Sequence, residues 1–282
     1  MSIKEKLKER LPEITFLGAI SDFATFFATI IFCGVFVFFG ITHKEFRKKQ
    51  AEQEAKQAEI IERKCEVDNK AKQIAIKSEK EFGLWNKKYN TDFIFPMEFD
   101  IKNDTDFEIR YNSEYNENST HINQQILYSG MPVGVYNFPK LPVGEIIIKN
   151  VQNRINEFLE ENENGIIKIK VRGTSDNTPV NEKAKYIGDL GYGTIRYYEI
   201  KEDNTIEEKT RTLIEDTELS NEDFALLRAY SVVAYFKKEF ELKDENIQIF
   251  VQIYNKKGPK YRRCDFSVTL ENYFIKFSEL DR

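Results

Sequence analysis

A single acidic residue, Asp22, interrupts an apolar run of 28 residues, Ile14–Ile41. As a helix with about 1.5 Å rise per residue, the run would reach about 42 Å, which exceeds the roughly 30 Å of a membrane's hydrocarbon core. A carboxylate inside a membrane span raises the free energy unless it faces protein, water or a partner charge, so such an acid marks a candidate functional site. Asp22 is therefore the first candidate functional residue of the chain.

Small and polar residues accompany this acid on one face of the predicted transmembrane helix. Thr15, Gly18, Asp22, Thr25 and Thr29 recur at spacings of three and four, whereas most Phe, Ile and Val residues point elsewhere. We therefore predict that this face contacts protein or ions, with Thr25 and Thr29 assisting Asp22. The alternative is a plain signal anchor, in which Asp22 lies near enough to the cytoplasmic end to reach the headgroups.

A second pair of charged residues lies in the C-terminal half of the chain. Asp176 is in the loop Arg172–Pro179 after a predicted strand, and Arg228 lies on a predicted helix that begins at Ser220. An anion and a cation held a short distance apart can bind a zwitterionic ligand, because arginine offers a planar fork to a carboxylate. The alternative is that Asp176 caps a turn and forms a salt bridge with Arg228 that only stabilises the fold.

The composition limits the class of protein. Of the 282 residues, 32% are charged, and the net charge is −5. A nucleic-acid-binding protein normally has a basic surface, so this balance argues against one. With one span near the start, about 240 residues remain outside the membrane, enough for one substantial domain and a connector.

Cysteine and histidine are too sparse to suggest a metal centre. Cys33, Cys65 and Cys264 lie far apart and fit no CxxC spacing, so we interpret them as free thiols. The two histidines, His43 and His121, leave little material for a metal site or a hydrolase triad. The sequence also lacks a nucleophile elbow and a phosphate-binding Gly-rich loop, so we predict a non-enzyme without a metal or other cofactor.

The N-terminal segment differs from a cleaved secretory signal. Its apolar core is far longer than that of a signal, and no small-residue cleavage pattern follows Gly40. We therefore expect residues 1–13 to form a tail and residues 14–41 to remain as a transmembrane helix. Equal numbers of basic residues flank the run, so the positive-inside rule leaves its orientation open.

Two segments separate the predicted span from the C-terminal domain. Residues 42–82 contain no Gly or Pro, which predicts a helix, and their thin apolar stripe favours a solvated spacer over a strong coiled coil. This stripe changes register near Cys65. Residues 83–140 are predicted to be an irregular β-rich region without an assigned role, with short strands around Phe107–Tyr111 and Ile122–Tyr128.

Residues 141–282 have the pattern of an α+β domain. The predicted order is helix, strand, helix, strand, strand, with one earlier strand, which gives helices on one face of a mixed sheet. The second helix is predicted to begin with a capping box formed by Ser220 and Asp223. The predicted elements are Gly144–Asn164, Ile166–Val171, the helix from Ser220 through Phe236, Ile247–Tyr254 and Cys264–Leu270.

The residues around the intramembrane acid resemble those of a known family. The string Ser21-Asp22-Phe23-Ala24-Thr25-Phe26-Phe27 is similar to the start of the single span in MotB-type stator subunits, where an ion-carrying Asp precedes a Thr and a Phe-rich stretch. The resemblance implies a homodimer that passes through a ring of multi-span MotA-like subunits in the bacterial inner membrane. It also implies transport of H⁺ or Na⁺, a cytoplasmic N-terminus, a periplasmic C-terminal domain and an alternative role for residues 42–82 as a channel plug.

Three motifs in the C-terminal half resemble the OmpA-like family of peptidoglycan-binding domains. Gly173-Thr174-Ser175-Asp176 is similar to the family's Gly-x-Thr-Asp, and Arg262-Arg263-Cys264-Asp265 is similar to its closing Arg-Arg-x-Glu. Asn221-x-x-Phe224-Ala225-x-x-Arg228-Ala229-x-x-Val232 is similar to its Asn-x-x-Leu-Ser-x-x-Arg-Ala-x-x-Val. The resemblance covers Leu141–Leu270 and implies contact with the ammonium and carboxylate of meso-diaminopimelate in the peptidoglycan stem. The residues that it nominates are Asp176, Asn221, Arg228 and Arg263.

An insertion departs from the family pattern. Residues 177–220 separate the Asp176 loop from the second helix, where typical members have far fewer residues, and they border the predicted pocket. Together the two resemblances imply a MotB-like stator subunit, and the alternatives are a passive envelope tether and a periplasmic sensor without ion flux. The process that such a motor would drive stays open between flagellar rotation, anti-phage defence of the Zorya type and another envelope process.

Overall fold

The computed structural model describes residues 3–90, 95–103, 105–111, 131–162, 165–180 and 184–274. In the first helix, side chains are described from residue 25 onward, except those of residues 36, 37, 39, 41 and 42. The chain divides into two compact units, Met1–Glu62 and Arg63–Arg282.

One long helix, α1, extends over Ile3–Tyr89 and contains both the apolar run and the predicted linker 42–82. Within the part of the chain whose side chains the structure describes, no helix is long and apolar enough to cross a membrane. The side chain of Asp22 lies outside that part. Thr25 and Thr29 are exposed, and the Thr29 hydroxyl donates a hydrogen bond to the Thr25 carbonyl at 2.8 Å. The side chains of residues 43–62 are exposed throughout.

The C-terminal unit is built on a sheet of seven strands in the order β1-β2-β7-β3-β6-β4-β5. The pairs β3–β6 and β4–β6 are parallel, and the other neighbouring pairs are antiparallel, so the predicted α+β class with a mixed sheet is confirmed. The strands are β1 Met97–Lys102, β2 Asp106–Tyr111, β3 Ile166–Ser175, β4 Gly193–Ile200, β5 Ile206–Leu213, β6 Ile247–Ile253 and β7 Cys264–Glu271.

Two helices, α2 (Pro142–Glu161) and α3 (Asn221–Glu239), cover one face of this sheet. Phe236 of α3 packs edge-on against Phe266 of β7, with ring centroids 6.2 Å apart. On the same face, Phe158 of α2 stacks on Tyr273, whose ring also contacts Phe107 of β2. Strands β2 and β3 alternate between buried apolar residues and more exposed residues, most of them polar, as expected for a sheet covered on one side. Short 3-10 helices occur at Phe138–Lys140, Asp244–Asn246 and Pro259–Tyr261.

The last part of α1 belongs to the C-terminal unit and packs against α2. Val67, Ile74 and Phe82 recur at helical spacing and are buried. The Asn150 side-chain amide donates to the Ser78 carbonyl at 2.9 Å, which joins the two helices through a buried hydrogen bond. The register change that the sequence shows near Cys65 therefore occurs where the helix begins to contribute to the core.

The sheet includes segments on both sides of the predicted domain boundaries. β1 and β2 precede residue 141, and β2 pairs with β7, so this part of the β-rich region 83–140 belongs to the sheet. The insertion 177–220 contains β4 and β5, a hairpin added to the sheet through β6. The predicted strand Ile122–Tyr128 lies outside the described residues.

The capping box predicted at the start of α3 is confirmed. The Ser220 N–H donates to Asp223 Oδ2 at 2.8 Å, and the Asp223 N–H donates to Ser220 Oγ at 3.1 Å. Two backbone donors at the helix start are thereby satisfied by side chains, which fixes the residue at which α3 begins. This matters because Asn221 and Arg228 lie on the first two turns of this helix.

Close contact between β3 and α3 depends on Gly173. A Cβ atom built at Gly173 would lie 1.9 Å from the Ala225 carbonyl oxygen and 2.9 Å from the Ala229 nitrogen. Because these neighbours are backbone atoms, they cannot rotate away. We expect Gly173→Ala to lower the free energy of unfolding by roughly 3 kcal/mol, measured by chemical denaturation of the full chain.

A matched control for this substitution lies in α1. A Cβ atom at Gly83 would meet nothing within 4 Å, so Gly83→Ala is expected to stabilise the helix by about 0.5–1 kcal/mol. Equal effects of the two substitutions would contradict the close approach of β3 and α3.

Candidate functional site

Three elements of the C-terminal unit bring charged side chains to one point. β3 ends at Ser175, so Asp176 lies at its carboxyl end. Arg228 lies on the second turn of α3, and Arg262 lies two residues before the first residue of β7. Since Gly173 lets β3 approach α3 closely, the loop after β3 lies beside the face of α3 that carries Arg228.

Asp176 is held by three hydrogen bonds, although it is only 1% exposed. Its Oδ2 accepts from Arg262 Nη1 at 2.7 Å, from the Gly258 N–H at 2.9 Å and from the Thr178 hydroxyl at 2.5 Å. Burial opposes ionisation of the carboxyl group, but these hydrogen bonds and the Arg262 charge outweigh it and lower the pKa of Asp176 below its ordinary 3.8. The carboxylate is therefore ionised at neutral pH, and Oδ1 accepts none of these three bonds.

Arg228 is likewise 1% exposed, and two backbone carbonyls hold it. Its Nε donates to the Val135 carbonyl at 3.1 Å and its Nη1 to the Thr174 carbonyl at 2.7 Å. None of the described residues accepts a hydrogen bond from the second terminal nitrogen. Burial, and then repulsion from Arg262, lower the pKa of Arg228 to about 10, so the guanidinium stays charged near neutral pH.

A cavity of about 70 Å³ lies between these groups. Two guanidinium groups and one carboxylate face it, so it carries a net positive charge. Its size corresponds to several water molecules, which suits the end of a side chain rather than a polymer. A carboxylate could bind the second terminal nitrogen of Arg228, and an ammonium group could bind Asp176 Oδ1. The lining residues include Val133, Gly134, Asp176, Asn221, Phe224, Arg228 and Arg262.

The structure brings three of the four nominated peptidoglycan-binding residues together. Asp176, Asn221 and Arg228 all line the cavity, whereas Arg263 is not among its lining residues. The backbone N–H of Arg263 donates to the Thr174 hydroxyl at 2.9 Å, and its Nε donates to the Lys260 carbonyl. Its backbone therefore helps to hold the end of β3 beside the cavity.

Arg262 is the functional residue that the sequence reasoning missed. It belongs to the same Arg-Arg motif, but its guanidinium, rather than that of Arg263, reaches Asp176. The strand that follows explains this orientation. Its alternate residues Cys264, Phe266 and Val268 are buried, and Arg262 continues the same alternation toward the N-terminus. That alternation was a signal by which the sequence alone could have found it.

The ion pair that Asp176 forms is not the salt bridge with Arg228 that the sequence analysis gave as the alternative. Among the described residues, Asp176 pairs with Arg262, and Arg228 is held by carbonyls. Arg228 therefore keeps a charge that no carboxylate in direct contact neutralises, which is the property that a carboxylate-binding site requires.

The first part of the insertion forms one side of the cavity. Thr178, Pro179 and Val180, which begin two residues after Asp176, line it together with Ala184. Val133 and Gly134, which precede α2, line the cavity as well. The insertion therefore covers the pocket at its start and extends the sheet with its hairpin.

No protein-family model, curated protein or solved structure matches this chain. Within the described residues, no group of three or more His, Cys, Asp or Glu side chains is placed to hold a metal ion. Cys33 and Cys65 are exposed free thiols and Cys264 is a buried one. The cavity beside Arg228 is the described site whose chemistry best defines a ligand.

Proposed function

We propose that this chain is the single-span subunit of an ion-driven, rotary stator-type membrane motor, anchored to peptidoglycan by its C-terminal unit. The observation that supports the anchor is the cavity that an ionised, buried Asp176 and a charged, buried Arg228 line together. Asn221, at the start of α3, lines the same cavity.

The ligand proposed for this cavity is the free end of meso-diaminopimelate in a peptidoglycan stem. That end carries an ammonium and a carboxylate on one carbon atom. Asp176 Oδ1 would accept from the ammonium, and the planar guanidinium of Arg228 would donate to the carboxylate. Because both protein groups are already held by neighbouring atoms, binding would not require either of them to be ordered first.

The motor part of the proposal rests on Asp22 and on its resemblance to the acid of MotB-type stators. Two copies would pass through a ring of MotA-like multi-span subunits in the bacterial inner membrane, with the N-terminus cytoplasmic and the C-terminal unit periplasmic. Neutralising Asp22 with H⁺ or Na⁺ would remove the cost of a charge at low dielectric, so ion occupancy could bias how the ring contacts the helix pair. One charge that crosses about 100 mV supplies about 2.3 kcal/mol for such a step.

Two measurements on the full-length protein test the two parts separately. Purification from native membranes should yield a complex that contains a multi-span ring, and the same preparation should sediment with peptidoglycan sacculi. Free meso-diaminopimelate should compete with that sedimentation, whereas glycine should not. Sedimentation without a co-purifying ring would leave a passive envelope tether, and a ring without sedimentation would contradict the anchor.

A further inference from the structure

We infer that Asp189 and Tyr136 form a latch that positions Arg228 for its ligand. The inference deepens the proposed anchor function, and the predicted effect of the latch on ligand binding rests on that function. Asp189 belongs to the insertion 177–220, and Tyr136 belongs to the segment before α2 that carries the cavity-lining residues Val133 and Gly134. The latch therefore joins two segments that both line the cavity, across a large separation in sequence.

The contacts of the latch converge on one carboxylate. Tyr136 Oη donates to Asp189 Oδ1 at 2.5 Å, and the Asn137 side-chain amide donates to Oδ2 at 3.3 Å. Lys140 Nζ lies 3.6 Å from Oδ2, and the Asp189 side chain is only 18% exposed. Two successive residues of one segment thus donate hydrogen bonds to one carboxylate on the other, with Lys140 as a more distant, exposed ion pair, and hydrogen bonds to a charged acceptor are the stronger kind.

Two sets of contacts connect Tyr136 to the guanidinium group of Arg228. Tyr136 directly follows Val135, whose carbonyl accepts from Arg228 Nε at 3.1 Å. The Tyr136 ring also packs against Phe224, with centroids 6.1 Å apart, and the Phe224 ring lies 5.9 Å from the guanidinium carbon of Arg228. Movement of Tyr136 would therefore shift both the backbone acceptor and the ring that hold Arg228.

Hydrogen bonds within the insertion hold the loop that carries Asp189, the acceptor of the latch. Tyr186 is 1% exposed, its hydroxyl donates to the Gly191 carbonyl at 2.5 Å, and the Leu190 N–H donates to that hydroxyl at 3.2 Å. These two bonds close the loop around Asp189. The carboxylate is therefore presented by a folded loop rather than by a free chain end.

The other end of the insertion is tied to the start of α3. Arg211 of β5 donates from Nε to Asp223 Oδ1 at 2.7 Å and from one terminal nitrogen to Oδ2 at 3.2 Å. Glu222 accepts from the Tyr197 hydroxyl at 2.6 Å and from Lys209 Nζ at 3.1 Å. The insertion thus contacts the first turn of α3 and, through Asp189, the segment that contains Val135. Arg228 lies on α3 and donates to the Val135 carbonyl, so these two segments position its guanidinium group.

Tyr136→Phe and Asp189→Ala test the latch in the full-length protein. Tyr136→Phe keeps the ring packing on Phe224 and removes only the hydroxyl, so it separates the hydrogen bond from the packing. Each variant should weaken binding of free meso-diaminopimelate roughly tenfold, as expected for one hydrogen bond to a charged acceptor. The double variant should be no weaker than the stronger single variant, because both remove the same bond.

Hydrogen exchange supplies a readout that does not need the ligand. Amide exchange in residues 131–137 should increase roughly tenfold in Asp189→Ala, and exchange in residues 184–192 should increase similarly in Tyr136→Phe. Lys140→Ala removes only the exposed ion pair and is the matched control, with exchange and affinity close to the unsubstituted protein.

The outcomes separate the latch from the anchor function. If the unsubstituted chain does not bind meso-diaminopimelate but exchange rises reciprocally in the two variants, the latch stands and the proposed ligand fails. If exchange and affinity are unchanged in both variants, the latch is refuted. Additive losses of affinity in the double variant would also refute it, because the two residues would then act through separate contacts.

Discussion

Replacement of Asp22 by asparagine is expected to abolish the biological output of the chain while leaving membrane insertion and assembly intact. Asparagine has nearly the same volume and remains polar, but it cannot take up and release a cation. If the carboxylate carries the ion, each transport step requires that exchange, so the loss should be complete rather than partial. The measurement is the phenotype lost on deletion of the gene, together with ion uptake into vesicles that contain the assembled complex.

Two further variants control this experiment. Asp22→Glu keeps an ionisable group on the same face and should retain part of the output. Ser21→Asn places the same amide one residue away, which rotates it by about 100° to a different face of the helix, and should leave the output close to normal. Normal output from Asp22→Asn would show that the acid does not carry an ion, and the chain would then be a tether.

Replacement of Arg228 by alanine should reduce binding to peptidoglycan sacculi by roughly 100-fold, because a charge-assisted hydrogen bond to the ligand is lost in a site shielded from water. The substitution also leaves the carbonyls of Val135 and Thr174 without their donor, which costs about 1–3 kcal/mol of stability for a buried acceptor. Arg228→Lys separates the two effects, since it retains the charge and loses the planar fork. We expect this variant to fold and still to bind at least tenfold more weakly by the relation of about 1.4 kcal/mol per factor of ten.

A surface arginine supplies the control for these binding measurements. Arg196 lies on β4, its side chain is 59% exposed, and it is not among the residues that line the cavity. Arg196→Ala should therefore sediment with sacculi as the unsubstituted chain does. If Arg228→Lys bound as tightly as the unsubstituted chain, the arginine would have only a structural role.

The elements that carry the site could be predicted from local patterns. Helix α3 was indicated by its apolar spacing and by the pair Ser220 and Asp223, and the structure contains that capping box. Strands β3 and β7 were indicated by alternation, because one face of each is buried by the helices. Local pattern was sufficient for these strands since each has one apolar face and one more polar face, and for the start of α3 since its capping box is a local sequence motif.

The hairpin in the insertion could not be found in the same way. Most residues of β5 are exposed, and its buried and exposed positions do not alternate as those of β3 do. β5 is an edge strand rich in charged residues, so it contributes little apolar surface and leaves little period-2 signal. Its place in the sheet depends on non-local bonds, such as the one between Arg211 and Asp223.

The details of the cavity also depend on non-local geometry. The sequence motifs nominated Asp176 and Arg228, and the structure places both at one cavity. In the structure, Asp176 forms its ion pair with Arg262, which precedes β7. Arg228 donates to the carbonyl of Val135, which precedes α2. No spacing rule links residues so far apart, since tertiary packing alone decides which neighbours meet.

The support of Arg228 by Val135 has a mechanical consequence. A wall-bound ligand would grip Arg228, whose Nε is bonded to the Val135 carbonyl, and the chain continues from Val135 into α2. The last part of α1 is packed on α2, so tension applied to that part would reach the wall through one helix pair and a short stretch of backbone. Because Arg228 also donates to the Thr174 carbonyl of β3 at 2.7 Å, the same tension would reach the end of that strand, so the load would be shared between the helix pair and the sheet.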